Sequence, residues 1–532
     1  MEAALKTHPM NPLDASWLQV ESRDTPMHIA GLMPFRLPPG ASPGYLRDLI
    51  KDLRASREFA PPWNLRLRKP TLAHPLPAWV EEADEDVDLE YHLRHSALPS
   101  PGGERELGQL IARLHSQQLD LSRPPWELHL IEGLYGDRFA LYIKMHHSLL
   151  DGISGVRLLM RAMADDPAAS LALPPFWSPS PRQPAKKKGR AAGKARVAAK
   201  AAAAAARSES HQPHAPSLSL DGILKSLLQS VGGQARTVPQ LVSALGTLWG
   251  VRASQASLML PFDAPRSSLN GRVRGQRRVA TQQFPLERLK TLARAADCTL
   301  NDVVLAICGG ALRRFLLDDG LLPDKPLTAG VPVSVRPADD EGTGNAITFI
   351  IATMATDVSD PLERLRAIVA STQSAKAHVQ SLPRDAMTQY TMVLMAPSII
   401  SMLTPLGGRT RPMFNVTVSN VPGPDRPLYF RGALLEAIYP ISLIAHGLAL
   451  NITCESYAGS LDFAFTGCRD TLPHLQKLAP YSAEALEDLE RAVASAAATA
   501  AAPARKSRPR TVKKASSPAT RRRPPSRRSP GS

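Results

Sequence analysis

The sequence predicts an α/β protein made of two folded lobes joined by a linker. Apolar residues switch repeatedly between a spacing of two and a spacing of three or four, which marks alternating strands and helices. Residues 176–216 interrupt that pattern with Pro, Lys and Ala, including six consecutive alanines at 201–206. The chain has 532 residues, too many for one ordinary hydrophobic core.

The first lobe is expected over 1–175. Residues 27–37 (MHIAGLMPFRL) read as a strand stopped by Pro38-Pro39-Gly40, and 45–57 have helical spacing. Residues 104–119 form an amphipathic helix with Leu107, Leu110, Ile111 and Leu114 on one face. Residues 126–134 and 138–145 alternate like two strands around a Gly136-Asp137 turn, and 153–163 read as a helix. Residues 176–216 are expected to be a basic, disordered linker. Its Ala-Lys portion has helix-favouring residues but no apolar face to pack.

The second lobe is expected over 217–500. One or two amphipathic helices fall in 218–248. Strands are expected over 278–285, 328–335, 347–356, 414–419, 448–456 and 460–466. Helices are expected over 285–296, 301–317 and 484–494. Residues 501–532, rich in Pro, Ser, Arg and Lys, read as a disordered tail.

Composition narrows the function classes. Hydrophobic residues make up 43% of the chain and aromatics 5%, so the core should be aliphatic. The formal charge of +16 sits in two places: 505–532 holds eleven Lys/Arg and 182–207 holds nine, neither with an acid. Removing those twenty charges leaves about −4 on the rest. A mildly acidic body with basic appendages suggests an enzyme attached to something anionic and argues against a nucleic-acid-binding fold. The four cysteines, Cys298, Cys308, Cys454 and Cys468, form no CxxC and read as buried thiols in a reducing compartment. The N-terminus lacks the apolar core of a secretory signal. No run of 18 apolar residues occurs, and the best candidate, 392–406, is cut by Pro397 and Pro405. No transmembrane helix is expected.

The informative stretch is Lys144-Met145-His146-His147-Ser148-Leu149-Leu150-Asp151-Gly152. It follows an apolar strand and precedes a helix, so two histidines stand at a strand end. An imidazole there can take the proton of a hydroxyl during nucleophilic attack, worth about 10²–10⁴-fold in rate. Asp151 could hold the loop or orient a ring. Gly152 leaves room for a close-approaching substrate or backbone. A metal site would need a third ligand at helical spacing, and the following residues are Ser, Leu and Leu. A histidine pair can also be purely structural.

The full HHxxxDG string resembles the signature of the CoA-dependent acyltransferase superfamily, which includes chloramphenicol acetyltransferases and peptide-synthetase condensation domains. Other stretches resemble bacterial wax ester synthase/diacylglycerol acyltransferases: Asn11-Pro12-Leu13-Asp14-Ala15-Ser16-Trp17 followed by Thr25-Pro26-Met27-His28, then residues 91–99 (YHLRHSALP). Pro124-Pro125-Trp126 matches that family's Pro-Leu-Trp element, with Pro125 as a departure. Thr299–Ala306 carries its Asn-Asp motif, and Ser419–Pro424 another. The resemblance covers nearly all of 9–490 apart from the linker. Asn301-Asp302 could instead cap a helix, Asn420–Pro424 is good turn chemistry, and Trp126 could simply pack.

The resemblance implies two chloramphenicol-acetyltransferase-like lobes with a tunnel at their junction. It implies transfer of a long-chain acyl group from acyl-CoA to diacylglycerol, a long-chain fatty alcohol, or both. His147 would be the general base, His146 a supporting residue and Asp151 mainly structural. Asn301, Asp302 and Asn420 become candidates for substrate binding. Acyl-CoA would be a co-substrate, with no metal or other cofactor. Apolar residues in 387–406 could line part of the tunnel. Cytoplasmic placement follows, with peripheral attachment to an anionic membrane or lipid-body surface through the basic segments. The alternative is a degenerate acyltransferase fold whose basic segments bind lipid surfaces or nucleic acid.

Overall fold

The computed structural model describes residues 6–10, 12–70, 76–150, 152–179, 257–334, 347–381, 394, 407–501 and 531. The helices expected over 218–248, the basic stretch 182–207, most of 387–406 and Asp151 lie outside the described residues, as does nearly all of the tail. Residues 1–493 form one unit and 494–532 a second.

The first sheet is built on three long strands, β2 (His28–Arg36), β6 (Trp126–Leu134) and β7 (Arg138–His146). β7 lies between the other two and runs antiparallel to both. β5 (Leu93–Ala97) pairs parallel with β6, which makes the sheet mixed. The spacing of two works as read: Leu128 and Leu130 of β6 and Phe139, Leu141 and Ile143 of β7 enter one core, while Ile131, Ala140 and Tyr142 enter another on the opposite face. A small antiparallel sheet of β1 (Thr7–Pro9), β3 (Leu65–Arg68) and β4 (Ala78–Glu81) stands beside it.

The second sheet runs in the order β10 (Ile347–Thr353), β9 (Thr328–Ser334), β11 (Val416–Val421), β15 (Leu450–Tyr457), β16 (Ser460–Cys468) and β8 (Arg277–Pro285). β11 is parallel to both neighbours and the remaining pairs are antiparallel. One face packs against α7 (Leu286–Ala295), α8 (Leu300–Asp318) and α9 (Pro361–Gln380). α8 is buried on nearly every side, through Val303, Val304, Leu305, Ile307, Leu312, Phe315 and Leu316. Each such side chain contributes about 1.5–3 kcal/mol on leaving water. Gly309 lets α8 come this close, since a Cβ there would fall 2.4 Å from the Met354 carbonyl oxygen.

The two sheets meet through α4 (Glu104–His115). Its Leu107 and Ile111 pack with Ile131, Ala140 and Tyr142 of the first sheet and with Val279 and Ala464 of the second. Tyr457 of β15 joins the core of the first sheet.

Two boundary expectations need correction. The first lobe does not end at 175: Phe176 and Trp177 are buried, and Trp177 stacks near Trp126 and donates from Nε1 to the Ser56 carbonyl at 3.1 Å. Two large aromatics at the head of a polar stretch favour burial, whatever follows them. The lobes also do not divide cleanly in sequence. β12 (Tyr429–Phe430), β13 (Ala433–Leu435) and β14 (Tyr439–Ile441) leave the second half of the chain, and β13 and β14 pair with β2 of the first sheet. Trp126 packs in the core, fully buried with its Nε1 donating to the Trp63 carbonyl at 2.8 Å.

Candidate active site

β7 delivers its last residue, His146, in register with His28 of β2. His147 follows at the turn, where its backbone N–H donates to the Met27 carbonyl at 2.8 Å. The two imidazoles then diverge. His146 is fully buried, whereas His147 is half-buried and is not sealed into the core.

His146 has a defined tautomer. Its Nδ1 accepts from the Ser148 backbone N–H at 3.2 Å and lies 2.5 Å from Ser148 Oγ. A ring nitrogen that accepts a backbone N–H carries no proton, so the proton sits on Nε2. That nitrogen lies 3.4 Å from Glu21 Oε2, too far for a good hydrogen bond, and has no hydrogen-bond partner among the described residues. Glu21 Oε1 accepts from the Met27 N–H at 3.3 Å. The His147 ring stacks on Trp17 of α1 (Pro12–Val20), with centroids 4.5 Å apart and planes 29° apart.

Buried charge holds the strand beneath. Lys144 is fully buried, and its Nζ donates to the carbonyls of Leu114 at 3.1 Å and Gln117 at 2.9 Å and pairs with Glu127 Oε2 at 3.2 Å. Burial pushes the Glu127 carboxyl up, but the hydrogen bond from His129 and the charges of Lys144 and Arg94 outweigh it and bring it down to about 2. Glu127 is therefore ionised, and β6, β7 and the end of α4 are locked together three residues before His147. His115, the last residue of α4, accepts at Nδ1 from the Tyr142 hydroxyl at 2.9 Å and donates from Nε2 to the Ser442 carbonyl at 3.1 Å. Burial and then the Arg277 charge depress it to about 3, so it is neutral.

The other predicted residues divide. Among the described residues, a Cβ built on the exposed Gly152 meets no atom within 4 Å. Asp302 is buried and reciprocally caps α8: its Oδ2 accepts from Thr299 N at 2.9 Å while its own N–H donates to Thr299 Oγ1 at 3.3 Å. Its other oxygen accepts from Thr372 Oγ1 of α9 at 2.7 Å. These bonds give Asp302 a structural task. Asn301 and Asn420 meet: Nδ2 of Asn420, near the end of β11, donates to Asn301 Oδ1 at 2.8 Å. The turn after β11 presses on β15, and a Cβ at Gly423 would fall 2.3 Å from the Ser456 carbonyl oxygen.

Trp17 and Glu21 were not singled out as site residues by sequence reasoning. Their spacing of four, one helical turn, was the available signal. A small, partly open cleft lined by Leu258, Met259, Ile351, Ala375, His378 and Val379 contains none of the motif residues. Among the described residues, no three His, Cys, Asp or Glu side chains cluster as metal ligands. All four cysteines are free thiols, three buried and Cys298 half-buried.

Comparisons with known proteins agree on one family. The model of the wax ester synthase/diacylglycerol acyltransferase catalytic domain matches residues 10–304, and that of the WS/DGAT C-terminal domain matches 343–490. A putative diacylglycerol O-acyltransferase of Mycobacterium tuberculosis is 48% identical over 494 residues, covering 91% of this chain and 97% of that protein. An O-acyltransferase of Acinetobacter baylyi is 35% identical, covering 91% of this chain and 98% of its own. The solved wax ester synthase/diacylglycerol acyltransferase of Marinobacter aquaeolei superposes with a TM-score of 0.71 at 36% identity, covering 92% of this chain and all of that one. A condensation domain of the calcium-dependent antibiotic synthetase, at 17% identity and a TM-score of 0.52 over 92% of this chain and 97% of its own, shares the fold.

Proposed function

The chain belongs to the wax ester synthase/diacylglycerol acyltransferase family, and on that premise we propose that His147 is the general base of an acyl-CoA-dependent O-acyltransferase. The acyl group passes from acyl-CoA to the hydroxyl of diacylglycerol, of a long-chain alcohol, or of both. The observation that carries the reading is the difference in burial between the two histidines: His146 is fully buried in the strand, while the half-buried ring of His147 stands just past the strand end, where a substrate can reach it.

The reaction needs one proton moved twice. The His147 imidazole takes the hydroxyl proton as the acceptor oxygen attacks the thioester carbonyl. A carbon–oxygen bond forms and the carbonyl oxygen becomes an oxyanion. When the oxyanion collapses, the carbon–sulfur bond breaks and the imidazolium returns its proton to the CoA sulfur. Asn301 and Asn420 are proposed to touch substrate: their mutual bond fixes both amides and leaves Asn301 Nδ2 as a donor. Asp151 is proposed to orient the loop, and Gly152 to leave room for substrate. We place the substrates in a tunnel where the sheets meet at α4. Among the described residues no single helix is long and apolar enough to cross a membrane, and the basic segments 182–207 and 505–532 are proposed to attach the enzyme to anionic lipid surfaces. No observation favours the alternative of a degenerate, non-catalytic fold.

The test is His147→Ala assayed with labelled palmitoyl-CoA against diacylglycerol and hexadecanol. Ester formation should fall by at least 10²-fold or so with an unchanged thermal melt. Turnover at the wild-type rate in a folded variant would remove His147 from the mechanism.

A further inference from the structure

A base at a turn needs something to set its ring plane. The strand fixes the His147 backbone, and contacts of the side chain set χ1 and χ2 of the imidazole. The ring contact at hand is with Trp17, whose indole covers one imidazole face at a centroid distance of 4.5 Å. Trp17 is itself held. It packs against a small cluster of Val20 and Met27 from its own end of the chain and Ala445 from the far end. One turn further on, Glu21 reaches the same loop from below. Its Oε1 accepts from the Met27 N–H, the Met27 carbonyl accepts from the His147 N–H, and its Oε2 faces His146 Nε2. The end of α1 therefore lies against both histidines: Trp17 covers the His147 ring face, and Glu21 bonds the loop through the Met27 N–H with its other oxygen 3.4 Å from His146 Nε2.

We propose that Trp17 is a positioning residue of the catalytic base: its indole holds one face of the His147 ring at the angle proton transfer requires, with Glu21 anchoring the loop beneath. The proposal rests on His147 being the base. Trp17 touches no reacting atom in this role. Its loss leaves substrate binding alone and lets the imidazole swing away from the hydroxyl. A displacement near 1 Å at a reacting group costs about 10²-fold in rate.

Two substitutions separate positioning from simple packing. Trp17→Leu keeps an apolar side chain but removes the aromatic face; Trp17→Phe keeps a face. Trp17→Leu should lower kcat by about 10- to 100-fold with KM for palmitoyl-CoA and acceptor within twofold or so of wild type. Trp17→Phe should restore most of the loss. The stack itself is read without turnover, by NMR of the full chain with 13C-labelled histidine. The signal missing from His147→Gln identifies the ring. It should sit upfield in wild type, displaced by the indole ring current, and move downfield in Trp17→Leu. Equal kcat for the Leu and Phe variants, or a His147 signal unmoved in Trp17→Leu, overturns the proposal. If His147→Gln keeps turnover while the upfield shift is present, the base assignment is what fails, and the stack stands as geometry alone.

Discussion

Each sheet carries a glutamate in its interior, and the two have opposite chemistry. Glu127 of β6 is bonded to His129 and Arg94 and paired with Lys144. It stays ionised, at about 2. Glu455 of β15 is fully buried, and neither carboxyl oxygen has a hydrogen-bond partner among the described residues. Burial, then the nearby Asp462 carboxyl, pushes it up to about 8. Its cross-strand neighbour Asp462 takes the available donors, from Ile438 N–H, Gln283 Nε2 and Ser460 Oγ, each at 2.8 Å. Residue type therefore says little about charge in this interior. The partners decide it, and pairing across neighbouring strands brings them together.

The hardest blow to that contrast is Lys144→Met. It leaves Glu127 without its buried cation and frees the carbonyls of Leu114 and Gln117. Removing one partner of a buried pair costs about 3–5 kcal/mol. Urea unfolding should show a loss of that size, with activity falling because His147 lies three residues on. A loss under about 1 kcal/mol would mean that Glu127 simply takes up a proton.

Glu455→Gln tests the other side. The native carboxyl keeps its proton up to about pH 8, while the unfolded one loses it near 4.5 or so. The native state binds more protons in that window, so stability falls as pH rises from about 4.5 to 8, by at most about 1.4 kcal/mol per unit, and levels off above. Glutamine cannot titrate, so the variant should lose this slope. Unfolding free energies measured from pH 5 to 8 check it, and parallel curves for variant and wild type would show Glu455 to be charged.

Legibility followed the same line between local and distant causes. β6 was read to the residue because its alternation is carried by Leu128, Leu130 and their neighbours. α9 was missed because its buried face includes Arg364, Ser371, Thr372 and His378, which mask the apolar period. β13 and β14 are three residues each, too short for a period, and their partner β2 lies some 400 positions away. At the site, His146 and His147 announce themselves as a string. Trp17 meets His147 across a separation of 130 positions, and no local pattern reports such a contact. Asn301 and Asn420 were singled out separately, and their bond is a property of the fold.

Asp302 and its neighbour Asn301 sharpen the comparison at smaller scale. Asp302→Ala removes the reciprocal cap and the tie to Thr372. It should cost about 1–2 kcal/mol, with kcat/KM of the folded enzyme little changed. Asn301→Ala should do the reverse, lowering kcat/KM by roughly 10²-fold if its amide meets the oxyanion, with little change in melting. Matching profiles for the two variants would place both residues in the framework.

The smallest effect on turnover is expected from charges that sequence alone leaves without acidic neighbours. Residues 182–207 and 505–532 hold twenty basic residues and no acid. Deleting both segments should leave esterification of detergent-dispersed substrate within about twofold of wild type, because the motif residues lie outside them. Binding to vesicles is another matter. Each basic residue near an anionic surface contributes about 1 kcal/mol, and salt shortens the reach of that attraction to about 8 Å at physiological strength. Sedimentation with phosphatidylglycerol vesicles should therefore drop on deletion, and drop likewise for the full chain as salt is raised. Attachment that survives both changes would have to come from apolar contacts of the body, and the basic segments would then have no part in bringing the enzyme to its lipid substrates.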